Sequence, residues 1–319
     1  MRSRNTSAMS LCACLWMVFA SSMLSSPLSI SLLKRWMVRY PLTVVIASVD
    51  SCEPFGIIFL PCCEQKVRSE HTWTDTHQAR RALFEAEVRA ALRSEPRLGP
   101  SFHLKALGIE PDGSLILDGE VPTIAAKKMA LEKVAAILGI IGIVDRLHVE
   151  PATRMGDGEI RVHVRDSLIE EPAFERLEIR ECVGGQFQLV RDIPEGARGT
   201  IDIEVQEGIV ILNGTIPGLT SKRLAGVMAW WVPGVRDVVN GIEVNPPEED
   251  SPDMIEEAAR AALEKDPLVN ASQIRVGVRN NWVRLTGAVA ANAEREAAER
   301  DIWCILGIDD VINEIEVAP

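Results

Sequence analysis

Aromatic residues make up only 5% of this 319-residue chain, with a single tyrosine, so any core must be filled by Val, Ile, Leu and Ala. No apolar run reaches the roughly 18 residues that a membrane-spanning helix needs. A Gly-rich phosphate loop after a strand and a G-x-S-x-G nucleophile turn are both missing. The five histidines (His71, His77, His103, His148 and His163) show no ligand spacing. With no constellation of general acid, base or nucleophile, the sequence argues against an enzyme, a metal site or a cofactor. Of seven cysteines only Cys182 and Cys304 lie beyond residue 63, in unrelated places. They make neither a disulfide framework nor a CxxC site, and each reads as a small apolar residue.

Positive charge is also scarce. Against 46 acidic residues stand 34 basic ones, a net charge of −12. Residues 1–76 carry 7 basic and 5 acidic residues, and the remainder carries 27 and 41. So acidic a body disfavours nucleic acid and anionic lipid unless a local basic patch exists, and RNA is not an expected partner.

The first 76 residues read differently from the rest and are expected to be poorly structured. Arg2 and Arg4 precede an apolar run from Leu11 to Ala20, followed by Ser21 and Ser22, which is the layout of a secretory signal peptide. The stretches that follow, such as Leu42 to Val49 and Phe55 to Cys63, are apolar and aperiodic, unlike a linker. Two readings stand: a true export signal, placing the protein in the periplasm or cell envelope, or a spurious extension of a cytoplasmic protein that starts near residue 67–77.

What the remainder does have is a repeat. Gly119, Gly139 and Val149 are spaced identically to Gly214, Gly234 and Val244, and to Gly287, Gly307 and Val317. Ahead of each frame runs an i, i+4, i+8 apolar stripe that stops at a proline. These stripes are Phe84, Val88, Leu92 before Pro96; Ile160, Val164, Leu168 before Pro172; and Ile255, Ala259, Leu263 before Pro267. Hairpins follow, with turns at Asp112-Gly113, Glu207-Gly208 and Asn280-Asn281, residue types that tolerate positive φ. A glycine closing each second strand suggests a bulge or a close backbone approach. A second helix then carries Ala130, Val134, Ile137, or Ala225, Ala229, Val232, or Ala298, Ile302, Ile305.

These patterns predict an α+β protein of three tandem α-β-β-α-β units, each a small three-stranded mixed sheet with two helices on one face. The expected units are 77–151, 156–246 and 252–319. From proline to strand-closing glycine the second unit is longest, and its surplus at 181–199 is expected to be a loop insertion on the surface.

The order of elements, with Val210-Ile211-Leu212-Asn213-Gly214-Thr215-Ile216 before the second helix and Gly234-Val235-Arg236-Asp237-Val238 through Val244 after it, resembles the BON domain. That family is named for bacterial osmotically inducible and nodulation proteins. Val283 to Val289 with Gly307 to Val317 match equally well, and the first unit less well, with Gly139-Ile140-Ile141-Gly142 in place of Gly-Val. The resemblance implies a non-catalytic protein that binds phospholipid at the cell envelope, maintains the envelope under osmotic stress, or assembles larger complexes. Some multi-BON proteins lack an export signal, which implies as the alternative a soluble scaffold for protein–protein association with no lipid role.

One column could carry binding. Twelve residues before the later glycine each unit has a base: Lys127, Lys222 and Arg295, extended by Lys128 and Arg223. Trp230 and Trp303 share another column on the helix side away from the apolar stripe, with Trp231 beside them. The expected lipid- or partner-binding set is Lys222, Arg223, Trp230, Trp231, Trp303 and, on a hairpin, Trp282. The bland reading of these residues is packing against a neighbouring unit. The expected partners are a phospholipid surface, envelope proteins or another copy through the repeats. The acidic run from Glu294 to Asp301 reads as a solvated helix face.

Overall fold

Proline stops and glycine turns set the element boundaries where the sequence places them. The structure is a computed structural model that describes residues 81–110, 112–193 and 195–318. The expectations for residues 1–76 lie outside the described residues. Helix α1 covers 81–93 and is followed by β1 (His103–Ile109), β2 (Leu115–Val121), α2 (Ile124–Ala135) and β3 (Ile143–Val149). The second segment has α3 (Asp157–Glu170), β4 (Leu177–Val183), β5 (Gln186–Arg191), β6 (Gly199–Gln206), β7 (Ile209–Ile216), α4 (Leu219–Trp230), β8 (Asp237–Asn240) and β9 (Glu243–Val244). The third has α5 (Pro252–Lys265), β10 (Ile274–Arg279), β11 (Trp282–Val289), α6 (Asn292–Trp303) and β12 (Asp310–Val317).

In the first and third segments the middle strand pairs antiparallel with the strand before it and parallel with the one after the helix. That is the mixed three-stranded sheet a right-handed crossover gives. Turn residues Glu207 and Asn280-Asn281 have φ of 52°, 51° and 63°, as the tight hairpins require. The strand-closing glycines are close approaches. A Cβ on Gly119, Gly214 or Gly287 would lie 2.3, 2.2 or 2.0 Å from the carbonyl oxygen of His103 or Thr200 on the neighbouring strand, or of Gln273 just ahead of β10.

The second segment departs from the three-stranded expectation. Its surplus is not a surface loop but a β-hairpin, β4–β5, which joins the edge of the sheet because β4 runs parallel to β6. The sheet therefore has six strands, in the order β5-β4-β6-β7-β8 with β9 also on β7. Leu177 and Ile179 alternate into the core, and Gly184-Gly185, both at positive φ, turn the hairpin.

Two aliphatic cores result. One contains the first-helix stripe of the second segment, Ile160, Val164 and Leu168, with Ile201, Ile203, Val210, Leu212 and Ala225. The other is continuous through the first and third segments and also takes in Val227 of α4. Small units have thin cores, so sharing one raises the fraction of surface buried.

Candidate functional site

The second helices α2, α4 and α6 carry the predicted bases in their first turns, and α4 and α6 end at Trp230 and Trp303. The structure brings most of these residues together at the junctions between segments. Lys127, 7% exposed, places Nζ 2.6 Å from Asp237 Oδ2 of β8 and 3.0 Å from Asp145 Oδ2 of β3. Lys128 donates from Nζ to the Ile305 carbonyl at 2.7 Å and lies 5.9 Å from the centre of the Trp303 ring. Arg223 donates from Nε to the Leu306 carbonyl at 3.0 Å and pairs through Nη2 with Asp250 at 2.6 Å. Two segments thus send a cation to the single turn after α6, whose carbonyls lie at the negative end of that helix.

Trp231 donates from Nε1 to Asp301 Oδ1 at 2.9 Å, joining the second and third segments. Burial, reinforced by the nearby Asp266 carboxylate, raises the Asp301 pKa to about 8. Burial lowers that of Lys128 to about 8. The Cys304 thiol is pushed up to about 12 by burial and donates to the Arg300 carbonyl, a packing role rather than a reactive one. Further ties are Arg97 to Asp310 at 3.3 Å, Lys265 to Glu171 at 2.8 Å, and the Val149 amide to the Arg236 carbonyl at 2.8 Å.

Of the six predicted site residues, Arg223 is 3% exposed and Trp303 4%, and Trp230 and Trp231 are partly buried. Trp303 is therefore not on an open helix side. The placement away from the apolar stripe holds for one helix alone, and the first segment, through Lys128, covers that side. Lys222 is half-buried at the start of α4, and Trp282 is 47% exposed at the β10–β11 hairpin, where it pairs in register with Asp310 of β12. Asp301 is buried, contrary to the solvated-face reading, because Trp231 of another segment supplies its donor. Asp301 and Asp237 are the junction residues that the sequence reading missed. A tryptophan whose N–H must find a partner was the available signal for the first.

Fold and site together define a set of small α+β units held side by side by their second helices. Among the described residues no cluster of His, Cys, Asp and Glu could hold a metal ion, and no helix is long and apolar enough to cross a membrane. The family model for the BON domain matches residues 186–246 and 251–319, so two tandem BON domains are present. BON domains are non-catalytic structural and binding modules. The first of these matches begins at β5, and residues 81–150 lie outside both. No curated protein matches the chain.

Two solved structures of CdsD, a structural protein of the Type III secretion system of Chlamydia trachomatis, show some similarity. One, its C-terminal domain, is 15% identical, covering 72% of this chain and 96% of that one at a TM-score of 0.20. The other is also 15% identical, covering 73% and 93% at 0.20. Superpositions this poor carry no argument about arrangement or role.

Proposed function

We propose that the chain is a non-catalytic multi-BON scaffold that mediates protein–protein association, with residues 81–150 as a third BON copy. The third copy is supported by its identical order of elements, its strand pairing and its close-approach glycine at 119. One observation carries the scaffold reading. The bases and tryptophans that would make the second helices a membrane anchor are mostly spent between segments, on Asp237, Asp301 and the carbonyls of Ile305 and Leu306. A surface anchor needs such residues free on one polar–apolar face.

A phospholipid role has one observation of its own: Trp282 is exposed and Arg279 and Arg284 flank it on the open face of the third sheet. Vesicle flotation separates the two readings. With the full chain and vesicles rich in anionic lipid at low salt, where electrostatic attraction is greatest, the protein should stay at the bottom of the gradient. Flotation that is lost in Trp282→Ala would replace the scaffold reading with the lipid one.

A further inference from the structure

The hairpin that the second segment adds to its sheet leaves an unusual edge. Among the described residues β5 pairs only with β4 and ends the six-stranded sheet. A free edge is a row of unpaired backbone donors and acceptors, and proteins normally blunt it with charge, bulges or cover. The other outer strands are blunted in this way. β1 carries Lys105 and a register shift beside it. β3 carries Asp145 and Arg146, and β8 carries Asp237. β10 carries Arg275 and Arg279, and β12 carries Asp310, Glu314 and Glu316.

β5 reads Gln-Phe-Gln-Leu-Val-Arg, and its one charge turns inward. Arg191 donates to the carbonyls of Leu177 and Ile169, each at 3.0 Å, and to that of Phe174. A register shift falls at Val190, leaving Gln186 to Leu189 in regular pairing with β4. Phe187 is 48% exposed and Leu189 52%. Both lie opposite Cys182 and Arg180, on the sheet face away from the helices. Their neighbour on that face is the Arg180–Asp202 pair, at 2.6 and 2.7 Å.

We propose that β5 is the self-association edge of this protein, pairing antiparallel with β5 of a second copy about a two-fold axis through Gln188. In that register Phe187 stands opposite Leu189 of the second copy, and Leu189 opposite its Phe187. The four side chains form one apolar strip on the open face, the kind of cross-strand contact that stabilises a sheet. Each sheet gives the other the same surface, so the contact closes as a dimer instead of growing into a filament. At a net charge of −12 two copies repel one another. An edge strand with no outward acid is where they can approach, and this is why a second copy fits better than a charged peptide.

This inference rests on the scaffold reading, but a different measurement tests it. Sedimentation equilibrium of the full chain should give twice the monomer mass, falling towards the monomer on dilution. Leu189→Lys, a change at an exposed position, should halve the mass with an unchanged far-ultraviolet spectrum, and Phe187→Lys should do the same. Leu268→Lys, at an exposed leucine of the third segment, should leave the dimer intact. The proposal is overturned if the native chain is a monomer throughout, if both β5 variants stay dimeric, or if Leu268→Lys dissociates the dimer equally. A monomeric native chain that also fails to float would leave the scaffold reading standing with a different protein as partner.

Discussion

Replacing Lys127 by alanine should lower the free energy of unfolding by about 3 kcal/mol, the cost typical of removing one partner from a buried ion pair. The ammonium group is held between Asp237 and Asp145, whose strands belong to neighbouring segments. Without it two carboxylates face each other across the junction, and neither makes another ion pair among the described residues. The same column supplies the control. Lys222 makes no ion pair among the described residues, so Lys222→Ala should change stability by no more than about 0.5 kcal/mol. Urea unfolding checks both, read as a shift in midpoint at constant slope. Equal effects from the two lysines would show that position in the column, not the junction, decides their role.

Asp301→Asn should stabilise the protein, and by more as pH rises towards 8. The folded carboxyl keeps its proton until about pH 8, whereas in the unfolded chain it loses it near its ordinary value of 3.8. Between those values unfolding releases a proton, so stability falls as pH rises. Lys128 acts oppositely above this window. Its folded form gives up its proton at about 8 instead of 10.5, so stability climbs again with pH. The native chain should therefore show a stability minimum near pH 8 from these two groups. Asparagine keeps an oxygen for the Trp231 indole and carries no charge to desolvate. The variant should match the native chain near pH 4 and exceed it at pH 8 by an amount on the order of 4 kcal/mol. A variant less stable than the native chain at pH 8 would mean that Asp301 is held as a carboxylate by its surroundings.

Much of each unit was legible because its determinants are local. The proline after Leu168 or Leu263 stops a helix wherever it stands, and Asn280-Asn281 makes a tight turn whatever packs nearby. The β4–β5 hairpin was legible too, in Gly184-Gly185 and in the alternation of Gln186, Phe187, Gln188 and Leu189. Yet β5 buries almost nothing, so no core pattern sets it apart from a loop. The candidate site was another matter. Helical periodicity places Trp303 relative to its own helix, but the atoms that cover it come from Lys128, far away in sequence. Asp301 looks solvated beside Glu299 and Arg300, and its burial follows from Trp231 of a different segment. Periodicity carries no information about which neighbour covers a helix, so the junction emerged only from the assembled fold.

Differential scanning calorimetry on residues 81–319 tests the central claim, that side chains of the second helices join the three segments into one cooperative body. A single transition is predicted, with calorimetric and van't Hoff enthalpies equal. Two or three separate transitions, unmoved by Lys127→Ala, would contradict it.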